Sequence, residues 1–209
     1  MKIIISAGPT REHLDPIRFI TNHSTGKMGY SIAKYALKAG HSVTLISGPV
    51  NLSPPKGVTL VNVETAEEMK DALVEMFPKS DALIMSAAVG DWKPILKEKE
   101  KIKRKNEWLL RLVPNPDILQ EMAKIKREEQ IVVGFALETE NILANAKEKL
   151  VRKKLDMIVA NTPTFFKKEG KSKVAFIFQD GRVEEYIDIS RETTALKVVE
   201  LLGTLNQKM

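Results

Sequence analysis

The 209-residue chain contains no cysteine. That absence excludes disulfides, cysteine-ligated zinc, iron–sulfur clusters and any cysteine nucleophile or enzyme-bound thioester. Aromatic residues are sparse at 6%, and the three histidines, His13, His23 and His41, stand at spacings that match no metal-ligand pattern. No apolar run is long enough to span a bilayer. The opening residues 1–8 are broken by glycine too early for a signal peptide and read as a buried strand. Two phosphate-binding fingerprints are missing as well: neither G-x-G-x-x-G nor G-x-x-x-x-G-K-[ST] occurs. What is plentiful is charge. Lys and Arg number 33 against 27 Asp and Glu, a net of +6, which suits an anionic partner. That excess is local. Residues 93–105 hold seven Lys/Arg and two Glu, a net of +5, and leave +1 for the rest of the chain.

The pattern alternates short β-rich runs with amphipathic stretches. Strands are predicted at 3–6, 42–47, 58–63, 82–87, 108–113, 131–136 and 157–160. Helices are predicted at 26–39, 66–77, 117–126, 141–153 and 193–205. Thr65, with Glu68 three residues on, is a plausible helix cap, and Pro116 fits the first turn of its helix. Residues 173–178 and 183–187, joined around Asp180-Gly181, read as a hairpin. Residues 90–106 show no period and read as a long flap. Strands alternating with helices imply one α/β domain over residues 1–209, Rossmann-like, with a mostly parallel sheet covered on both faces. Ligands on such sheets bind beyond the carboxyl ends of the strands. Function is therefore expected in the loops 7–25, 48–55, 88–106, 114–117 and 136–141.

The first of those loops places Ser24, Thr25 and Gly26 ahead of a helix. Hydroxyls and backbone N–H groups there can hold a phosphate, and equally can simply cap the helix. The residues D-P-I-R-F-I-T-N-H-S-T-G-K-M-G at 15–29 resemble the hallmark of the phosphopantothenate–cysteine ligase family. Members of that family commonly form the carboxyl-terminal half of a bifunctional coenzyme A biosynthesis flavoprotein. Further matching segments follow in order: S-G-P-V-N-L at 47–52, T-A-E-E-M at 65–69, A-A-V-G-D-W at 87–92, K-I-K-R-K at 101–105, N-P-D-I-L at 115–119, G-F-A-L-E-T at 134–139 and K-K-L-D-M-I-V-A-N at 153–161. The likeness covers nearly the whole chain. Two segments depart from the family pattern, A-A-V-A-D-Y becoming A-A-V-G-D-W and K-I-K-K becoming K-I-K-R.

The resemblance implies a ligase that joins 4′-phosphopantothenate to cysteine. A carboxylate is a poor electrophile, so it is first activated on CTP (ATP in many eukaryotic members) with loss of pyrophosphate. The cysteine amine then displaces the nucleotide. Mg²⁺ is implied as cofactor. Asn22 and Lys101 are implied as catalytic, Asn22 at the acyl group and Lys101 on a closing flap. Asn22 and Arg18 are implied to bind substrate. Arg18 could equally form an ion pair with Asp15 or Glu12. The implied nucleotide set is Gly8, Ser24, Gly26, Ala87, Ala88, Asp91, Lys101, Asn115, Pro116, Asp117, Ile118, Phe135, Lys149 and Lys153. Asp91 is also the implied metal ligand. Each has a plain structural alternative: an Asx turn for Asn22, helix initiation for 115–119, a core aromatic for Phe135, and a solvated face for Lys149 and Lys153. The resemblance further implies a cytoplasmic homodimer, built through the hairpin at 173–187 or the strand near 108–113, with a flavin-dependent decarboxylase fused or separate. Trp92 and Trp108 flank the flap as packing anchors. A dinucleotide oxidoreductase is disfavoured because no acidic residue follows the strand ending at Ser47-Gly48-Pro49. A nucleic-acid module is disfavoured because the basic residues lack interleaved aromatics.

Overall fold

The computed structural model describes residues 1–104, 106–137, 142–161 and 171–206. Lys105 of the flap, Glu138 and Thr139 of the 134–139 segment, and Asn141 at the expected start of a helix lie outside the described residues. In chain order the elements are β1 (Lys2–Ala7), β2 (Arg11–His13), β3 (Phe19–Thr21), α1 (Lys27–Lys38), β4 (Ser42–Ser47), β5 (Thr59–Asn62), α2 (Ala66–Met76) with a 3-10 turn at Phe77–Lys79, β6 (Ala82–Met85), β7 (Trp92–Pro94), β8 (Leu112–Pro114), α3 (Ile118–Ile125), β9 (Ile131–Leu137), α4 (Ile142–Arg152), β10 (Met157–Asn161), β11 (Lys171–Phe178), β12 (Val183–Ser190) and α5 (Arg191–Asn206).

Eight strands form one sheet in the order β12-β11-β10-β9-β6-β1-β4-β5. The six from β10 to β5 pair in parallel, and the hairpin β11–β12 extends that sheet antiparallel beyond β10. The central strands are apolar without alternation because both faces are covered. In β1, Ile3 and Ile5 face a core shared with α1 and α5, while Ile4 faces a second core shared with α2, α3 and α4. In β6, Ala82 and Ile84 join the first core, and Leu83 and Met85 the second. The Rossmann-like α/β architecture expected from the sequence is therefore present, with helices on both faces.

The chain runs outward from β1 to β4 and β5, then returns to lay β6 on the other side of β1. The carboxyl ends of β1 and β6 thus flank the crevice where the strand order reverses, the usual ligand position in such sheets. A parallel bridge between Pro9 and Ala88 ties the two strand exits together.

Three expectations need correction. The 90–106 segment is not wholly irregular, because its base is β7, paired antiparallel with β8. The strand expected at 108–113 is short and displaced to Leu112–Pro114. Among the described residues no strand pairs with 108–111, although the Ile95 N–H still reaches the Arg111 carbonyl (3.1 Å). Pro116 precedes the cap of α3 rather than opening its first turn. Asp117 is the cap, and its carboxylate accepts from the Gln120 N–H at 3.3 Å. In addition, the first loop carries an unforeseen ribbon, β2 against β3.

Candidate active site

The first loop is shaped by backbone that only glycine adopts easily. Gly8 and Gly26 have φ of 75° and 73°. A side chain at Gly26 would meet Val50 Cγ1 at 2.8 Å, and one at Gly8 would meet it at 2.9 Å. Gly26 stands at the amino end of α1, where its N–H is 3.3 Å from the Ser24 hydroxyl. The loop is then stitched to the exit of β6. The Ala88 N–H donates to the Gly8 carbonyl (2.9 Å), the Gly90 N–H to Thr10 Oγ1 (2.9 Å) and Thr21 Oγ1 to the Thr10 carbonyl (2.7 Å). Asn22, exposed just after β3, lays its amide across the same strand exit and donates to the carbonyls of Val89 (2.9 Å) and Ala88 (3.3 Å). Its amide nitrogen is thereby held in place and the side chain remains open to solvent.

These segments enclose a cavity of about 180 Å³ lined by residues 24–29, 86–88, Phe135, Ala136, Asn161 and Arg191. Ser24, Gly26, Ala87, Ala88 and Phe135 of the sequence-derived set meet there. The amino end of α1 opens onto the same cavity, so unpaired N–H groups and the positive end of the helix dipole face any anion in it. Gly8 does not line the cavity; it supports the turn behind Gly26.

A second group forms at the start of α3. The Asn115 side chain donates to the Gly90 carbonyl (2.8 Å) and its backbone N–H to the Asp91 carbonyl (2.8 Å). Among the described residues its Oδ1 is buried without a partner, as is the hydroxyl of Ser86. Ser86 lines the cavity described above, and an orphaned buried hydroxyl at a cavity is the mark of a polar ligand's place. Lys153, 9% exposed, pairs with Asp117 at 2.9 Å, and Lys149 reaches the Phe135 carbonyl at 3.3 Å. Lys153 lies one residue beyond α4, held in the last turn by its N–H to the Lys149 carbonyl. The Ile118 side chain is buried in the core, so only its backbone can face a ligand. Asp91 is exposed at the base of the flap. Among the described residues, no group of three His, Cys, Asp or Glu side chains converges to hold a metal ion.

Lys101 lies elsewhere, on a cavity of about 490 Å³ with Arg18, Ile102, Lys103, Arg104 and Trp108. Arg18 makes the ion pair with Asp15 that the sequence left open, at 2.5 Å, and its guanidinium lies 5.2 Å from the Trp108 ring centre. That guanidinium holds the buried Asp15 carboxyl well below the usual carboxylate range. The backbone N–H groups of Ile17, Ile102 and Arg18 act in the same direction against the opposing effect of burial. Trp108 touches the Arg18 guanidinium but is 43% exposed, and Trp92 is 54% exposed, so neither is packed as a buried anchor.

Sequence reasoning missed Asn161 and Arg191. Asn161 ends β10, the last parallel strand, so the strand-end rule would have found it. Arg191 starts α5 after the antiparallel hairpin and carried no local signal. The part played by Asp15 was visible only as a possible partner of Arg18.

The family model for the C-terminal domain of DNA/pantothenate metabolism flavoproteins matches residues 1–205. The coenzyme A biosynthesis bifunctional protein CoaBC of Vibrio parahaemolyticus is 40% identical over 97% of this chain and 52% of its own length. The protein of the same name from Bacillus subtilis is 39% identical over 99% of this chain and 52% of its own. The chain thus spans about half the length of these curated relatives. A crystal structure of the C-terminal domain of CoaBC superposes with a TM-score of 0.86 at 36% identity, covering all of this chain and 96% of that one. The chain belongs to the family of DNA/pantothenate metabolism flavoprotein C-terminal domains.

Proposed function

We propose that the chain is a phosphopantothenate–cysteine ligase domain that activates its acid substrate on CTP. The observation that carries this reading is the meeting of Asn22, Ala87 and Ala88 at one strand-end crevice with the amino end of α1. An acyl carboxylate and a nucleotide α-phosphate can be brought together there. In the first step a carboxylate oxygen of 4′-phosphopantothenate attacks the α-phosphorus of CTP. The bond to the β-phosphate oxygen breaks, and pyrophosphate leaves. In the second step the cysteine amine attacks the acyl carbon of the anhydride. The amide bond forms, the amine loses a proton, and CMP departs. With no cysteine in the chain, no enzyme thioester intervenes.

The residues divide the work by chemistry. Ser24, Gly26 and the first N–H groups of α1 bind phosphate oxygens; Phe135 packs on the base, with Lys149, Lys153 and the 115–118 segment around the nucleotide. Asn22 gives up its longer amide bond, to the Ala88 carbonyl at 3.3 Å, and donates to the acyl oxygen as charge develops there, adding no net charge of its own. Lys101 neutralises the pentavalent phosphate from the flap, and Arg18 serves the acid substrate. Mg²⁺ is commonly held by one or two carboxylates plus substrate phosphates, so the isolated Asp91 fits as its single protein ligand. When bound, the ion supplies Lewis-acid neutralisation of the triphosphate.

The functional unit is proposed as a cytoplasmic homodimer acting with a flavin-dependent decarboxylase, fused or separate. Among the described residues, no helix is long and apolar enough to cross a membrane. The test is pyrophosphate release from purified chain with phosphopantothenate, cysteine and Mg²⁺, with CTP, ATP, GTP and UTP supplied in turn. Release is expected with CTP above the others and only when the acid substrate is present. No release with any nucleotide rejects the ligase reading, and preference for ATP rejects its nucleotide assignment.

A further inference from the structure

The flap that carries Lys101 has little reason of its own to hold one position. Residues 97–104 form no helix or strand, and the 93–105 segment concentrates a net charge of +5 that repels itself. One residue of it is nevertheless clasped from both sides. The Ile102 N–H donates to Asp15 Oδ2 (3.1 Å), and the Ile102 carbonyl accepts from Arg18 Nη2 (2.7 Å). These contacts bridge 87 and 84 residues of sequence. Just upstream, the Glu98 N–H donates to the Leu14 carbonyl (2.9 Å).

Asp15 sits in the turn between β2 and β3 and is fully buried. One of its oxygens, Oδ1, does what such a residue does in any Asx turn, accepting from the N–H groups of Ile17 and Arg18, both at 2.8 Å. The turn needs nothing more. The other oxygen, Oδ2, faces away from that task and gathers Arg18 Nε (2.9 Å), Arg18 Nη2 (2.5 Å) and the Ile102 N–H. The carboxylate thus orients the guanidinium that takes the Ile102 carbonyl while itself taking the Ile102 amide. Both backbone groups of the residue next to Lys101 depend on one buried charge.

We propose that Asp15 is a positioning residue, a buried latch that grips the flap at Ile102 and thereby fixes where Lys101 stands. The inference rests on the ligase reading only for the role of Lys101; the latch itself is a statement about the flap. Two variants of the whole chain test it. Asp15→Asn keeps an acceptor for the turn and removes the charge. Ile102→Pro removes the flap's amide donor without touching the buried site, and so answers the question if Asp15→Asn fails to fold. Limited trypsin digestion of the unliganded chain, which needs no activity, is expected to cut after Lys99 and Lys103 about tenfold faster in either variant, with cuts outside residues 97–105 unchanged. In turnover, kcat is expected to fall about tenfold with KM for the nucleotide within twofold. The double variant Asp15→Asn/Lys101→Ala is expected to be no slower than Lys101→Ala alone, since groups acting through one another do not add. Wild-type cutting rates in the variants that fold overturn the latch. So does an unchanged kcat in a variant whose flap is cut faster, or an additive loss in the double variant. If the chain makes no product with any nucleotide, the ligase reading fails alone and the digestion still decides the latch.

Discussion

Asn22 and Lys101 differ in how the fold holds them, and that difference sets what their removal should do. The Asn22 amide hydrogen-bonds two carbonyls at the exit of β6 but supports no core contact, and the residue is exposed. Lys101 is exposed on the flap. Truncating either should leave folding intact, because neither removal opens a cavity or strands a buried charge. Under the ligase reading each contributes to charge stabilisation in the transition state. Losing one such donor costs on the order of 10²–10³ in rate. Asn22→Ala and Lys101→Ala are therefore each expected to cut product formation about a hundredfold or more, with an unchanged melting temperature. Quenched-flow detection of the acyl-nucleotide should separate them, Lys101→Ala slowing its formation and Asn22→Ala its consumption. Turnover within threefold of wild type in either variant removes that residue from the catalytic set. Lys153 is a different case. It is buried and paired with Asp117, the residue that caps α3, so its loss would disturb packing and that cap and confuse a binding effect with a folding one.

At the level of elements, the helices and long strands were legible because their signals are local. Helix α2 is an example. Thr65 accepts from the Glu68 N–H at 3.2 Å, the cap readable from the spacing, while the Glu68 carboxylate accepts from the Glu64 N–H, one residue before the cap, at 2.7 Å. Thr65→Ala is expected to lower stability by about 1 kcal/mol, which for a chain of this size is a fall of about 2–4 °C in melting temperature. Calorimetry checks it, and activity should not change. An unaltered Tm would mean that tertiary packing alone fixes the start of α2. The ribbons β2–β3 and β7–β8 were not legible. Three residues give no measurable period, and the partner of β7 lies some twenty residues away across the flap. The site divides in the same way. Ala87, Ala88 and Phe135 follow from the rule that ligands sit at strand ends. Arg191 enters the cavity only because α5 packs beside α1, a fact of tertiary structure. The clasp between Asp15 and Ile102 is likewise a contact between distant segments that no spacing records.

At the scale of the whole molecule, six of the exposed apolar side chains among the described residues fall on or next to the β7–β8 ribbon. Trp92, Ile95, Leu96, Leu109, Leu110 and Leu112 are between 39% and 84% exposed there. The two arms of the ribbon carry them: Trp92 lies opposite Pro114, Pro94 opposite Leu112, and the Ile95 N–H meets the Arg111 carbonyl. Exposed apolar side chains gathered in one place mark an interaction surface. The other candidate, the outer strand β12, exposes Ile187 at 78% but interleaves it with Glu184, Glu185 and Asp188, so it offers charge where an interface core needs apolar area. The ribbon is therefore the better seat for the proposed second copy. The same ribbon is the base of the flap, so pairing two copies through it would stiffen the segment that carries Lys101 and link assembly to catalysis. Sedimentation at micromolar concentration is expected to give twice the 23.4 kDa chain mass. Leu109→Asp with Leu112→Asp is expected to give the single chain with its circular dichroism intact, whereas Ile187→Asp should remain a dimer. A wild-type monomer would remove the homodimer from the reading. A dimer split by Ile187→Asp and not by the ribbon variant would move the interface to the hairpin, and the ribbon's exposed leucines would then have no partner among copies of this chain.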